Sequence, residues 1–140
     1  MGIDKWILWQ NKDFIVASPK NPHTSPEEGC HIIIYPVKKM ENAWSNAELA
    51  RKAFELAANI SKIIIEEKIA DWTNIQNNQN WDFLPGGKLH FHIHIYGRKK
   101  TGKTWAQPVQ IPKAPNTFKN NPISERERKI LERKFKEVLW

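Results

Sequence analysis

His90-Phe91-His92-Ile93-His94-Ile95-Tyr96 is the stretch on which the reading of this chain turns. In an extended strand successive side chains point to opposite faces. His90, His92, His94 and Tyr96 then share one face, with Leu89, Phe91, Ile93 and Ile95 on the other. Three imidazoles about 7 Å apart would stand on a strand whose back is wholly apolar. Solvent-facing strand positions draw Thr, Lys, Glu or Ser, and three of the chain's five histidines fall here. The pattern reads as a site.

Around it lies a chain of 140 residues, 40% hydrophobic, which suffices for one domain with its own core. One cysteine, Cys30, excludes an intramolecular disulfide and fits a reducing compartment. The longest apolar runs, residues 32–35 and 63–65, are too short for a bilayer, and no signal peptide is recognised. A cytoplasmic protein with no membrane association is expected. The net charge of +7 favours anionic partners: nucleotides, polyphosphates or nucleic acid.

Residues 5–10 and 13–17 read as a hairpin closed at Asn11-Lys12. A loop with Pro19, Pro22 and Pro26 leads to residues 30–36, where Ile32, Ile33 and Ile34 show no alternation. Such a run suits a strand buried on both faces. Ser45-Asn46-Ala47-Glu48 reads as a capping box opening a helix to about Lys68. Its stripe of Leu49, Ala53, Leu56, Ala57, Ile60, Ile63 and Ile64 should pack on a sheet. Residues 71–80 read as a strand running into a loop, and Ser124 caps a terminal helix with Ile130, Leu131, Phe135, Val138 and Leu139 on one side. The fold class is α+β: about five antiparallel strands, one long helix packed on them and a C-terminal helix.

Residues 97–104 match the phosphate-loop pattern G-x-x-x-x-G-K-[ST], but that mechanism needs the loop to open a helix. Pro108 and the missing cap argue against one. The histidine strand itself has two chemical readings. His-x-His supplies two cis ligands for zinc, with His31 and Cys30 available to complete a set. Alternatively a neutral imidazole attacks phosphorus while its neighbours hold its tautomer or bind phosphate oxygens. The basic turn at Arg98, Lys99, Lys100 and Lys103 suits the second reading better.

These residues resemble the histidine-triad family, whose signature His-φ-His-φ-His-φ-φ residues 90–96 match at every position. The strand Gly29-Cys30-His31-Ile32-Ile33-Ile34-Tyr35-Pro36 is similar to the family's upstream histidine strand. Residues 74–78 are similar to its Asn-rich strand. The resemblance implies one domain over residues 1–140, with its motif-bearing core at 13–98 and an extension at 99–140. It implies a homodimer that hydrolyses or transfers nucleoside monophosphates, from nucleoside phosphoramidates or dinucleoside polyphosphates, with no cofactor and no metal.

By position, the resemblance makes His92 the nucleophile of a nucleotidyl-histidine intermediate, oriented by the His90 carbonyl and ring. His94 would contact phosphate and His31 would complete a relay. Gln79, with Asn77 and Asn78 as neighbours, would reach ribose or phosphate, and Arg98 belongs to the same substrate-binding set. Two positions depart from the family. His23 stands where an acid commonly grips the ribose hydroxyls, and Gly86-Gly87-Lys88 stands where Ser or Thr precedes the triad, so that Lys88 supplies charge instead. The alternative function is a nucleotide- or nucleic-acid-binding module with weak or no catalysis, including removal of adenylate from nucleic-acid ends. The terminal helix is expected to pack on a partner subunit or to lid the pocket.

Overall fold

The unalternating Ile32–Ile34 run becomes the middle of the sheet in a computed structural model that describes residues 3–140. The first two residues of the expected domain lie outside that description. The strands are β1 (Lys5–Gln10), β2 (Phe14–Pro19), β3 (Gly29–Pro36), β4 (Trp72–Gln76) and β5 (Ile93–Arg98). They form one sheet in the order β1-β2-β3-β5-β4, with every neighbouring pair antiparallel. The helices are α1 (Ala47–Glu66) and α2 (Glu125–Val138). The expected α+β architecture of five strands, a long helix and a C-terminal helix is therefore present.

β3 is buried along its whole length because both of its faces are covered. Cys30, Ile32 and Ile34 join Ile93 and Ile95 of β5 under α1, whose Ala53, Ala57, Ile60 and Ile64 are fully enclosed. Removing an isoleucine side chain such as Ile60 or Ile64 from water contributes about 1.5–3 kcal/mol. The opposite face carries Ile33 and Tyr35 with Ala17, and the cross-strand pairs His31–Tyr96 and Ile33–His94 lie on it. The sheet thus divides the chain into an apolar core on one side and an imidazole face on the other. Gly29 is required where β3 meets β5: a Cβ there would lie 1.6 Å from the Gly97 carbonyl oxygen.

Two helix boundaries differ from expectation. Asn46, not Ser45, caps α1, accepting from the Leu49 amide at 3.1 Å. Ser45 is instead used by a preceding 3₁₀ turn in a reciprocal cap with Asn42. At the other end α1 stops at Glu66, because Lys68 turns left-handed (φ 58°) and Ile69 N–H returns to the Ile64 carbonyl. Helix α2 is capped by Ser124 as expected. Its Leu131 and Phe135 enter the core on the α1 side of the sheet, and Arg128 lies 4.1 Å over the Trp6 ring. The helix does not lid the imidazole face. No helix among the described residues is long and apolar enough to cross a membrane.

Candidate active site

The ladder between β3 and β5 starts at Ile34–Ile93, so residues 90–92 approach the sheet extended but outside it. The strand expected to begin at His90 begins three residues later. Other bonds hold this segment: Phe91 N–H donates to the Met40 carbonyl at 2.6 Å, His90 N–H to Asp82 Oδ2 at 3.2 Å, and Asn77 Nδ2 to the His92 carbonyl at 2.8 Å. Phe91 stays fully buried on the core side, so the alternation survives without the ladder.

Backbone groups fix the imidazole tautomers. A carbonyl oxygen only accepts, so His92 Nδ1, 2.8 Å from the His90 carbonyl, carries the proton and donates it. Nε2 of the neutral ring then keeps its lone pair. The His23 amide donates to His31 Nδ1 at 3.1 Å, which places the His31 proton on Nε2. That nitrogen lies 2.8 Å from His94 Nδ1 and donates to it, so neutral His94 carries its own proton on Nε2. Tyr96 Oη is 2.8 Å from His23 Nδ1. The tyrosine is fully buried and, among the described residues, has no other acceptor for its hydroxyl proton, and an unpaired buried donor costs about 1–3 kcal/mol. Tyr96 therefore donates, and His23 holds its proton on Nε2.

These rings pack as one block, His31 and His94 stacked on Tyr96 and His23 tilted 35° against His31. His31 and Tyr96 centroids are 4.8 Å apart, His94 and Tyr96 5.4 Å, and His23 and His31 4.3 Å. Burial dominates the electrostatics. It holds the His31 and His94 rings well below the ordinary imidazole pKa, with the neighbouring imidazoles adding repulsion. His23 is lowered to about 4 by burial and by His92, and His90 is lowered chiefly by burial.

A cavity of about 1090 Å³ opens in front of this block, slightly above the roughly 300–1,000 Å³ typical of small-molecule sites. His90, His92, His94, Tyr96 and His23 form its inner wall, and Lys39, Lys88 and Lys113 its basic part. Asp82 is the one carboxylate lining it among the described residues. Residues 108–122 close one side through Ile111, Pro112 and Pro115. Their anchor is Asn21, which donates to the Phe118 carbonyl and accepts from the Asn120 amide. Phe118 meets the His23 ring edge-on at 5.5 Å, and Trp81 approaches it at 5.1 Å.

The expected substrate residues divide. Asn78, Gln79, Lys88 and His23 line the cavity. The Gln79 amide is committed within the protein, donating to the Glu41 carbonyl at 2.7 Å and to Asp82, and accepting from Asn77. Asn77 props the His92 carbonyl from behind. Arg98 stands apart, 5% exposed, with its guanidinium donating to Asn74 Oδ1 and to the Thr104 and Gln107 carbonyls. It fastens a turn rather than facing the cavity. The same turn disposes of the phosphate-loop pattern: the Lys103 and Thr104 amides donate to the Glu28 carboxylate at 2.7 and 2.8 Å, and no helix follows. Trp81, Asp82 and Phe118 escaped the sequence reading, because only chain closure brings isolated loop residues to the site.

For a metal, His23, His31 and His94 offer nitrogens within 4.8 Å of one another. The 2.8 Å between His31 Nε2 and His94 Nδ1 is shorter than the about 3.3 Å separating two ligands on tetrahedral zinc, so a proton fits between them better than an ion. Cys30 is on the core face beside Gly97, its thiol pushed up to about 12 by burial, and does not join the histidines.

The class of protein defined so far is a single-sheet α+β domain with a buried imidazole relay opening on a basic cavity. Comparison with solved structures makes it specific: the chain has the fold of histidine-triad proteins. It is similar to a histidine triad protein from Bradyrhizobium japonicum (15% identity, 98% of this chain and 92% of that one, TM-score 0.68). A zinc-bound histidine triad family protein from Mycobacterium smegmatis is also similar (16%, 94% and 84%, 0.66), as is the diadenosine triphosphate hydrolase of Plasmodium falciparum in complex with cyclomarin A (16%, 96% and 78%, 0.59). No protein-family model matches the sequence, and no curated protein is similar to it by sequence.

Proposed function

We propose that the chain is a nucleotidyl hydrolase or transferase acting on nucleoside phosphoramidates or dinucleoside polyphosphates through a nucleotidyl-histidine intermediate on His92. The observation that carries this reading is the 2.8 Å bond from His92 Nδ1 to the His90 carbonyl, which leaves Nε2 as a lone-pair nitrogen at the wall of the basic cavity. In the first step Nε2 forms a bond to the α-phosphorus while the bond to the leaving group breaks, an amine leaving group taking up a proton from solvent. The charge that develops on His92 Nδ1–H is stabilised by the carbonyl it faces. His94 Nε2–H, held in that tautomer by His31, donates to a non-bridging phosphate oxygen, and Lys88 supplies countercharge. Water then attacks phosphorus and gives up a proton to solvent, the bond to Nε2 breaks, and the nucleoside monophosphate leaves with the lone pair returned to His92.

Asn78 and His23 complete the substrate-facing set, and Gln79 and Asn77 hold the loop and the His92 carbonyl. The homodimer is part of the same proposal: β4 is an edge strand of the sheet, with Trp72 62% exposed on it. Sedimentation should give a particle of twice the chain mass.

A nucleoside phosphoramidate incubated with the native protein is expected to release nucleoside monophosphate, and rapid acid-free quenching of a radiolabelled substrate should trap label on histidine. His92→Ala should lower turnover by about 10³-fold or more, as removal of a nucleophile does. Undiminished turnover by that variant would remove His92 from the role. Tight nucleotide binding with no product from any of these substrates would favour a binding module instead.

A further inference from the structure

We propose that Asp82 is a positioning residue for His92: by holding the His90 amide it keeps the His90 carbonyl on His92 Nδ1 and the lone pair on Nε2. Its part in turnover rests on the nucleophilic reading of His92 above, whereas its part in placing the proton stands on geometry alone. The carbonyl that fixes the His92 tautomer belongs to a segment outside the sheet, because the ladder between β3 and β5 begins at Ile93. Its peptide is pinned at the other end, where Phe91 N–H donates to the Met40 carbonyl at 2.6 Å. One hydrogen bond leaves a peptide plane free to swing about the N–H···O line. A second pin one residue earlier stops the swing, and Asp82 Oδ2 supplies it by accepting the His90 amide at 3.2 Å. A carboxylate acceptor makes that bond charge-assisted.

The chain around Asp82 is built to hold its carboxylate still. Gln79 Nε2 donates to the same oxygen at 3.2 Å and to the Glu41 carbonyl at 2.7 Å, and Gln79 Oε1 accepts from Asn77 Nδ2. Asn77 Nδ2 also donates to the His92 carbonyl. One side-chain amide thus joins the groups that hold both ends of the tripeptide from His90 to His92. Gln79 does so from a left-handed backbone at φ 54°, which residues with a Cβ adopt only where their surroundings enforce it. Asp82 itself sits in the 3₁₀ turn Asn80–Phe83, and Gly87 folds back on that turn: a Cβ at Gly87 would lie 2.4 Å from the Asp82 carbonyl oxygen. The glycine that precedes the triad is therefore required by the turn that carries the carboxylate. The charge has no evident use toward a phosphate. Asp82 shares the cavity wall with Lys39, Lys88 and Lys113, and an anion among these cations opposes an anionic ligand. What Asp82 holds accounts for its presence.

Ring-nitrogen NMR of protein labelled with nitrogen-15 histidine reads the His92 tautomer at pH 7.5, with His92→Ala identifying its signals. The native protein and Asp82→Asn, whose side-chain carbonyl still accepts, are expected to carry the proton on Nδ1. Asp82→Ala should show both tautomers of His92 in exchange. On a nucleoside phosphoramidate its kcat should fall about tenfold or more with KM raised no more than about threefold, as misplacement of a reacting group does. Asp82→Asn should keep kcat within about threefold of the native value. A folded Asp82→Ala with His92 still wholly protonated on Nδ1 would overturn the inference, as would equal losses in the two variants or a KM that rises more than kcat falls. If Asp82→Ala does not fold, a native His92 protonated on Nε2 overturns it without any variant. Turnover by the native protein separates this inference from the catalytic one. Nδ1 protonation with no product from any substrate sinks the reaction and leaves the placing of the proton standing, whereas product from a His92 protonated on Nε2 does the reverse.

Discussion

Both ring nitrogens of His31 are engaged, accepting the His23 amide on one side and donating to His94 on the other, and the residue is 2% exposed. Among the described residues no other polar group reaches the His23 amide or His94 Nδ1. His31→Ala should therefore leave one backbone donor and one imidazole acceptor unpaired beside a new void, destabilising the protein by about 3–5 kcal/mol. Gln keeps an amide acceptor and an amide donor on one side chain, and His31→Gln should lose less than half as much. Urea unfolding of the two variants beside the native chain measures both. A loss under about 1 kcal/mol in the alanine variant would mean that the relay is neutral to stability. His31 and the triad were legible as residues because a strand's period of two puts their rings on one face. The tautomers were not legible, because they depend on which backbone groups the fold delivers: the His90 carbonyl to His92 and the His23 amide to His31. Arg98 misled for the same reason. A cation on the triad's own strand is buried beyond the cavity, where Asn74 and two loop carbonyls take up its donors.

Elements with a strong local period were found in place, but their ends were where reading failed, by three residues at the start of the histidine strand. Helix α1 shows why. Its apolar stripe is unmistakable, but its C-terminus has no glycine to mark it. The closing motif is nevertheless complete: Lys68 N–H bonds the Ile65 carbonyl, Ile69 N–H bonds Ile64, and Ile69 is buried at 2% exposure. Lysine occupies the left-handed position at φ 58°, which disfavours any residue with a Cβ. Lys68→Gly should thus stabilise the protein by about 0.5–1 kcal/mol, raising the melting temperature by a few degrees. A lower melting temperature would show that the extra backbone freedom glycine gives the unfolded chain outweighs the relieved strain. The N-terminus failed differently. Ser45 and Asn46 are both good caps, and the choice went to Asn46 because Asn42 had already bound Ser45 into its own turn. Sequence spacing alone does not rank two adjacent caps.

Over the whole molecule the unusual feature is a block of neutral imidazoles packed against one another with no carboxylate among them. His31 and His94 are depressed well below the ordinary value and His23 falls to about 4, burial being the first cause in each. The unfolded chain, by contrast, titrates these groups near 6.5. Between the folded and unfolded values the unfolded state binds more protons, so stability rises with pH in that window. The contribution is fully present above about pH 6.5 and is lost as pH falls toward about 4. Each imidazole that stays neutral in the folded state adds a slope of about 1.4 kcal/mol per pH unit once the unfolded form is fully protonated. Urea unfolding at pH 7.5, 6.5, 5.5 and 5.0 should show a plateau between the first two and then a decline of one to three proton equivalents. Staying above pH 5 keeps carboxylate titration, such as that of Glu28 in its amide nest, out of the measurement. His31→Gln removes one imidazole and should reduce the slope by about one equivalent, whatever it does to the plateau. Flat stability from pH 7.5 to 5.0 would mean that the folded protein accepts these protons as readily as the unfolded chain. The block would then be too open to water to hold the His94 tautomer on which the proposed phosphate contact depends.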